Sequence, residues 1–147
     1  MKVPHGAHVM VVEGGRYALF VNRGQDFAPD LELLEQEAAE WPKTSDIGGD
    51  RPGRAFESSG ARRSAYEAVD FHERAEDAFV TDIARRLEER LKAGSPDVIL
   101  LAAPRALGVL RQALGSDARG RLLAEVPKAY GGKTAAELSD LLAKLEV

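Results

Sequence analysis

Apolar and polar positions follow two different rhythms along this chain, a period-two alternation near the start and a period of about 3.6 over much of the second half. His8 to Glu13 (H-V-M-V-V-E) is a short β-branched and apolar run, Gly14-Gly15 supplies a tight turn, and Arg16 to Asn22 (R-Y-A-L-F-V-N) resumes an extended pattern. Together they predict a β-hairpin. After the turn residues Gly24, Asp26, Pro29 and Asp30, the segment Leu31 to Ala39 fits strand or helix by pattern; we read it as an edge strand, because a third strand completes a meander. Pro42 to Ser64 carries Gly, Pro, Ser and Arg without a period and reads as a long loop, of the kind that in compact domains is functional or disordered.

The second half is punctuated more sharply. Asp70 caps a helix with Glu73 three residues on, and Phe71, Ala75, Ala78, Phe79, Ile83, Leu87 and Leu91 share one face before Gly94-Ser95-Pro96 ends it. Val98 to Ala103 is an unbroken apolar run, as expected of a strand covered on both faces. Pro104 suits the first position of a helix carrying Leu107, Leu110 and Leu114 up to Gly115. Leu122 to Val126 reads as a further strand, and Thr134 with Glu137 forms a capping box for a last helix striped by Leu138, Leu141, Leu142 and Leu145. The expected order is β-β-β-α-β-α-β-α. That order predicts an α/β protein with a mixed five-stranded sheet and helices on its faces, and it resembles the ribonuclease H-like arrangement.

At 147 residues the chain fits a single domain, with a long basic loop at about 42–68. The absence of cysteine excludes disulfides, thiolate metal sites and thiol catalysis. The first residues lack the unbroken apolar region of a secretory signal and no run approaches membrane-spanning length, so a cytoplasmic location without membrane contact is expected.

The net charge of −4 argues against a basic surface all round, but the charges are unevenly spread. Gln25 to Trp41 holds six acids and no Lys or Arg, whereas Pro104 to Thr134 holds six cations (Arg105, Arg111, Arg119, Arg121, Lys128 and Lys133) against Asp117 and Glu125. Gly48 to Glu67 (G-G-D-R-P-G-R-A-F-E-S-S-G-A-R-R-S-A-Y-E) adds Arg51, Arg54, Arg62 and Arg63 in a segment too glycine-rich to pack a core. Guanidinium groups present planar, paired donors to phosphate and carboxylate, so the expected partner is an anion. The plainer reading is a solvated loop whose arginines pair with nearby acids.

Catalytic readings find less in the residues. A metal-dependent nuclease needs converging carboxylates; Glu13 with Glu73 or Glu76 could contribute, but Arg105 stands where another acid would help. P-K-A-Y-G-G-K-T at Pro127 to Thr134 nearly matches a phosphate-binding loop, with Pro127 in place of its first glycine. A reduced version, with free N–H groups at Gly132 to Thr134 and Lys133 holding one phosphate, survives that departure. Ser58, Ser59 and Ser64 lack a nucleophile elbow, and His5 and His8 lack a third ligand. We therefore expect no catalytic residue, no metal and no cofactor.

Three motifs in order, Gly48 to Glu67 as quoted, D-F-H-E-R-A-E-D-A-F at Asp70 to Phe79 and L-L-A-A-P-R-A-L-G-V-L-R at Leu100 to Arg111, resemble the bacterial host attachment protein family. Where that family reads K-D-L-T after the last strand, Lys128 is here followed by A-Y-G-G-K-T. The family is in turn similar to the central domain of archaeal and eukaryotic peptide-release factors. The resemblance implies a non-catalytic domain that binds RNA or the ribosome, through Arg51, Arg54, Arg62, Arg63, Arg105, Lys128 and Lys133, with Asp50 and His72 anchoring the loop. The alternative is a regulatory domain whose loop docks an acidic protein partner.

Overall fold

The structure, a computed structural model, describes the backbone of residues 1–39 and 58–146 and the side chains of residues 1–39 and 72–146. Strands β1 (His8–Glu13) and β2 (Arg16–Asn22) pair antiparallel with Glu13 opposite Arg16. Gly14 and Gly15 close the hairpin at φ 42° and 78°, the left-handed values that a two-residue turn between twisted strands demands. Strand β3 (Leu31–Ala38) adds antiparallel to β2 and is the edge strand expected to complete the meander. Strands β4 (Val98–Ala102) and β5 (Leu122–Val126) join parallel to β1, giving one mixed sheet in the order β3-β2-β1-β4-β5. All five residues of β4 are buried, which explains their unbroken apolar character.

Helices α1 (Ser58–Lys92), α2 (Pro104–Ala113), α3 (Ser116–Gly120) and α4 (Ala135–Lys144) complete the fold. Met10, Val12, Leu19 and Leu100 point to one face and pack with Val80, Ile83 and Leu87 of α1 and Leu107 and Leu110 of α2. Val9, Val11, Phe20, Ile99 and Leu101 point to the other, against Leu138 and Leu142 of α4. The period-two alternation of the strands thus feeds two cores, one on each side of the sheet. Leu141 is only half-buried, and Leu145 packs from just beyond the end of α4.

Two expectations need correction. Helix α1 begins at Ser58, twelve residues before Asp70, so residues 58–64 are helical and the loop is shorter than expected. The proline-free stretch ahead of Asp70 has no apolar period in its sequence, which is why it reads as loop, yet its backbone is helical. Within the stripe, Val80 and Ala84 are buried and Ala78 is exposed. Helix α3 also follows α2, where only a connection was expected. Asp50, Arg51 and Arg54, with the rest of the expected loop up to residue 57, lie outside the described residues.

Candidate functional site

Because β1, β4 and β5 are parallel, their carboxyl ends share one end of the sheet, where open α/β sheets place ligands. Arg105 follows β4, Lys128 follows β5, and Lys133 precedes α4. Helix α1 finishes at Lys92 shortly before the amino end of β4, so its own amino end points the same way. The Arg105 guanidinium lies 3.3 Å from both carboxylate oxygens of Asp77 on α1. Arg62 and Arg63 belong to α1 about 20 Å farther along its axis, at about 1.5 Å per residue; their side chains lie outside the described residues. Topology therefore brings Arg105, Lys128, Lys133 and the backbone of Arg62 and Arg63 to one end of the molecule.

Most arginines elsewhere in the basic stretch are engaged by their neighbours. Arg111 and Arg119 donate to the Glu125 carboxylate at 2.9 and 3.2 Å, and Arg121 donates to the Leu91 carbonyl and pairs with Asp117. Burial pushes the Glu125 carboxyl up, but the hydrogen bonds from Arg119 and Arg111 outweigh it and hold the group below its ordinary value. The acidic strand β3 is neutralised in the same way, since Arg86 of α1 bridges Glu37 at 2.6 and 3.0 Å and Arg90 approaches Glu35 at 3.4 Å. Tyr17 donates to Glu35 at 2.5 Å, and burial followed by that carboxylate raises its phenol above the usual range. An acidic face and a basic face therefore do not confront solvent as opposites. Lys128 and Lys133 have no ion pair among the described residues.

The loop from Pro127 to Thr134 is shaped by close approach. The Gly131 N–H donates to Glu13 Oε2 at 2.5 Å, and a Cβ on Gly131 would stand 2.3 Å from that oxygen. Gly132 has φ 81°, and a Cβ there would lie 2.7 Å from Arg16 Nη1. Gly131 is thus required by the Glu13 side chain that crosses over it, and Gly132 by its left-handed backbone. Thr134 N–H donates to Glu137 Oε1 at 3.0 Å while Glu137 N–H donates to Thr134 Oγ1 at 3.1 Å, which is the expected capping box. Lys133 N–H contacts the Tyr130 carbonyl. Of the amides expected to be free for phosphate, that of Thr134 is committed to Glu137 and that of Lys133 reaches the Tyr130 carbonyl only at a long 3.4 Å, while the Gly131 amide beside them already holds a carboxylate. Sequence reasoning passed over Arg16 and the Glu13 contact with Gly131; the adjacent glycines were the available signal.

Beside this loop lies an open groove of about 740 Å³, floored by Val11, Ala18, Phe20 and Leu33 and walled by Gly131 to Ala135. His72 is half-buried at the near end of the described part of α1 and makes an interaction there. His5 Nδ1 is bonded to the Gly24 carbonyl at 2.8 Å, and among the described residues no group of three His, Asp or Glu side chains is placed to hold a metal ion. No helix among the described residues is long and apolar enough to cross a membrane.

A family model described as "Protein required for attachment to host cells" matches residues 8–142, from the first residue of β1 into α4. No curated protein matches the chain.

Proposed function

The chain belongs to the family of proteins required for attachment to host cells, and on that premise we propose that it is a non-catalytic, cytoplasmic α/β domain that binds RNA, on the ribosome. The observation that carries the reading is that Arg105, Lys128 and Lys133 all adjoin the carboxyl end of three parallel strands, the end toward which the amino-terminal half of α1 lies. Cations gathered at one end, and not their total number, are what a phosphate backbone requires of a protein with net charge −4. The ion pair between Arg105 and Asp77 is exposed on both sides, so it is weak and exchanges readily for a phosphate. We read the sheet order as ribonuclease H-like and the domain as kin to the central domain of peptide-release factors, which agrees with an RNA partner. Arg51 and Arg54, with Asp50 and His72 anchoring their segment, extend the same surface in this reading.

The test is cosedimentation of the tagged protein with ribosomes, and filter binding to single-stranded RNA, at about 50 and about 200 mM salt. One phosphate contact from each of Arg62, Arg63, Arg105, Lys128 and Lys133 implies an affinity loss of about 100-fold over that interval. Replacing Arg62 and Arg63 by alanine should weaken binding and flatten its salt dependence. Salt-independent binding, or none, rejects the proposal. Capture of a protein that survives ribonuclease treatment would favour a regulatory domain docking an acidic partner.

A further inference from the structure

Arg16 differs from every other arginine whose side chain is described. Arg23, Arg85, Arg86, Arg90, Arg105, Arg111, Arg119 and Arg121 all reach a carboxylate or carbonyl, and Arg74 also has a partner. Arg16 has none among the described residues, although Glu13 stands opposite it in the hairpin. The Glu13 carboxylate has turned instead to the Gly131 amide. The guanidinium of Arg16 lies across Gly132, next to Lys133, which is likewise unpaired among the described residues.

These two cations stand at the rim of the groove between β2, β3 and the start of α4. Its floor is mostly apolar, and it includes Leu33, a large side chain left 42% exposed. At about 740 Å³ it has the size of sites that take small organic ligands. The one carboxylate that lines it, Glu37, is already bridged by Arg86, so it does not neutralise the rim. An apolar floor beside two cations that no described carboxylate neutralises selects a molecule with the complementary halves. A neutral apolar ligand would leave both cations unmatched, and an inorganic anion would leave the floor wet.

We propose that this groove binds a small amphipathic carboxylate, its apolar body on Phe20, Ala18 and Leu33 and its head between Arg16 and Lys133. The site stands apart from the RNA reading and shares only Lys133 with it. The polar rim sets the orientation of the ligand, and the apolar floor supplies most of its binding free energy.

Calorimetric titration of the full chain with decanoate, below its micelle concentration, tests this against decanol as the uncharged analogue. Decanoate should bind at one site, about tenfold more tightly than decanol. Arg16→Gln combined with Lys133→Gln should remove that preference while decanol binding stays unchanged. Gln36→Trp, at an exposed position on the groove wall, should weaken both ligands while leaving the circular dichroism spectrum intact. Absence of decanoate binding, equal affinity for the two ligands, or indifference to these substitutions would each overturn the proposal. The Arg62→Ala, Arg63→Ala variant should bind decanoate like the parent, so failure of the RNA reading is distinguishable from failure of this one.

Discussion

Replacing Asn22 by alanine should destabilise the fold by about 3–4 kcal/mol, more than most single changes outside the apolar core. Asn22 is fully buried at the end of β2, and its side chain is the junction of three backbone segments. Its amide donates to the Val3 carbonyl at 2.8 Å, and its carbonyl oxygen accepts from Gly24 N–H at 2.8 Å and Asp30 N–H at 2.9 Å. Two further contacts, to the Pro4 and Gln25 carbonyls, are long at 3.4 Å and contribute little. Alanine strands one buried carbonyl and two partly buried N–H groups, each costing about 1 kcal/mol or somewhat more. For a chain of this length the corresponding fall in Tm is about 10 °C. Urea denaturation followed by circular dichroism should show a lower midpoint with an unchanged slope. A loss below about 1 kcal/mol would mean that water replaces the side chain at all three partners, and the argument from burial would fail.

Glycines offer a paired prediction of opposite sign. A Cβ at Gly24 would lie 2.6 Å from the Ala28 carbonyl oxygen and 2.7 Å from the Asp30 nitrogen, so Gly24→Ala should cost about 1–3 kcal/mol. Gly108, exposed within α2 with open space around it, should instead gain about 0.5–1 kcal/mol as alanine; thermal melts of both variants decide it. Thr134→Ala removes the acceptor of the capping box and should cost about 1 kcal/mol, read by the same melts. His8 is held below its ordinary pKa of 6.5 by burial and then by the charges of Arg90 and Arg23, and its Nδ1 is buried without a partner. The unfolded chain therefore takes up the proton more readily, and stability present above pH 6.5 should decline as the pH falls below it. Urea midpoints measured down to about pH 5 should show that decline in the parent and not in His8→Gln, whereas Asp82 and Glu37, held low by hydrogen bonds from Arg86, lose their contribution only below about pH 4.5.

Much of the architecture is legible in the chain because it is local. The double glycine between two apolar runs specifies the hairpin, the apolar Val98 stretch a strand covered on both faces, and Thr134 with Glu137 the start of α4. Where periodicity fails, the reading fails with it: the first turns of α1 carry no apolar period in their sequence and read as loop, although their composition allows helix. That Arg105, Lys128 and Lys133 belong to one cation-rich stretch of the chain was legible as well. What those cations touch was not.

Short-range propensity, burial period and capping chemistry act over a few residues, so the amino-acid order by itself determined the strands, most helix boundaries and the α/β class. Only the folded chain decided which charges are satisfied. Glu13 meets Gly131 across 118 positions, Arg86 meets Glu37 across 49, and Arg105 meets Asp77 across 28. Such pairings require separations of about 3 Å, set to within a few tenths of an ångström, between segments far apart in the chain, and no local pattern encodes them. The same long-range geometry left Arg16 without a carboxylate among the described residues and placed it beside an apolar groove, and that is why a candidate site absent from the linear reading appears in three dimensions.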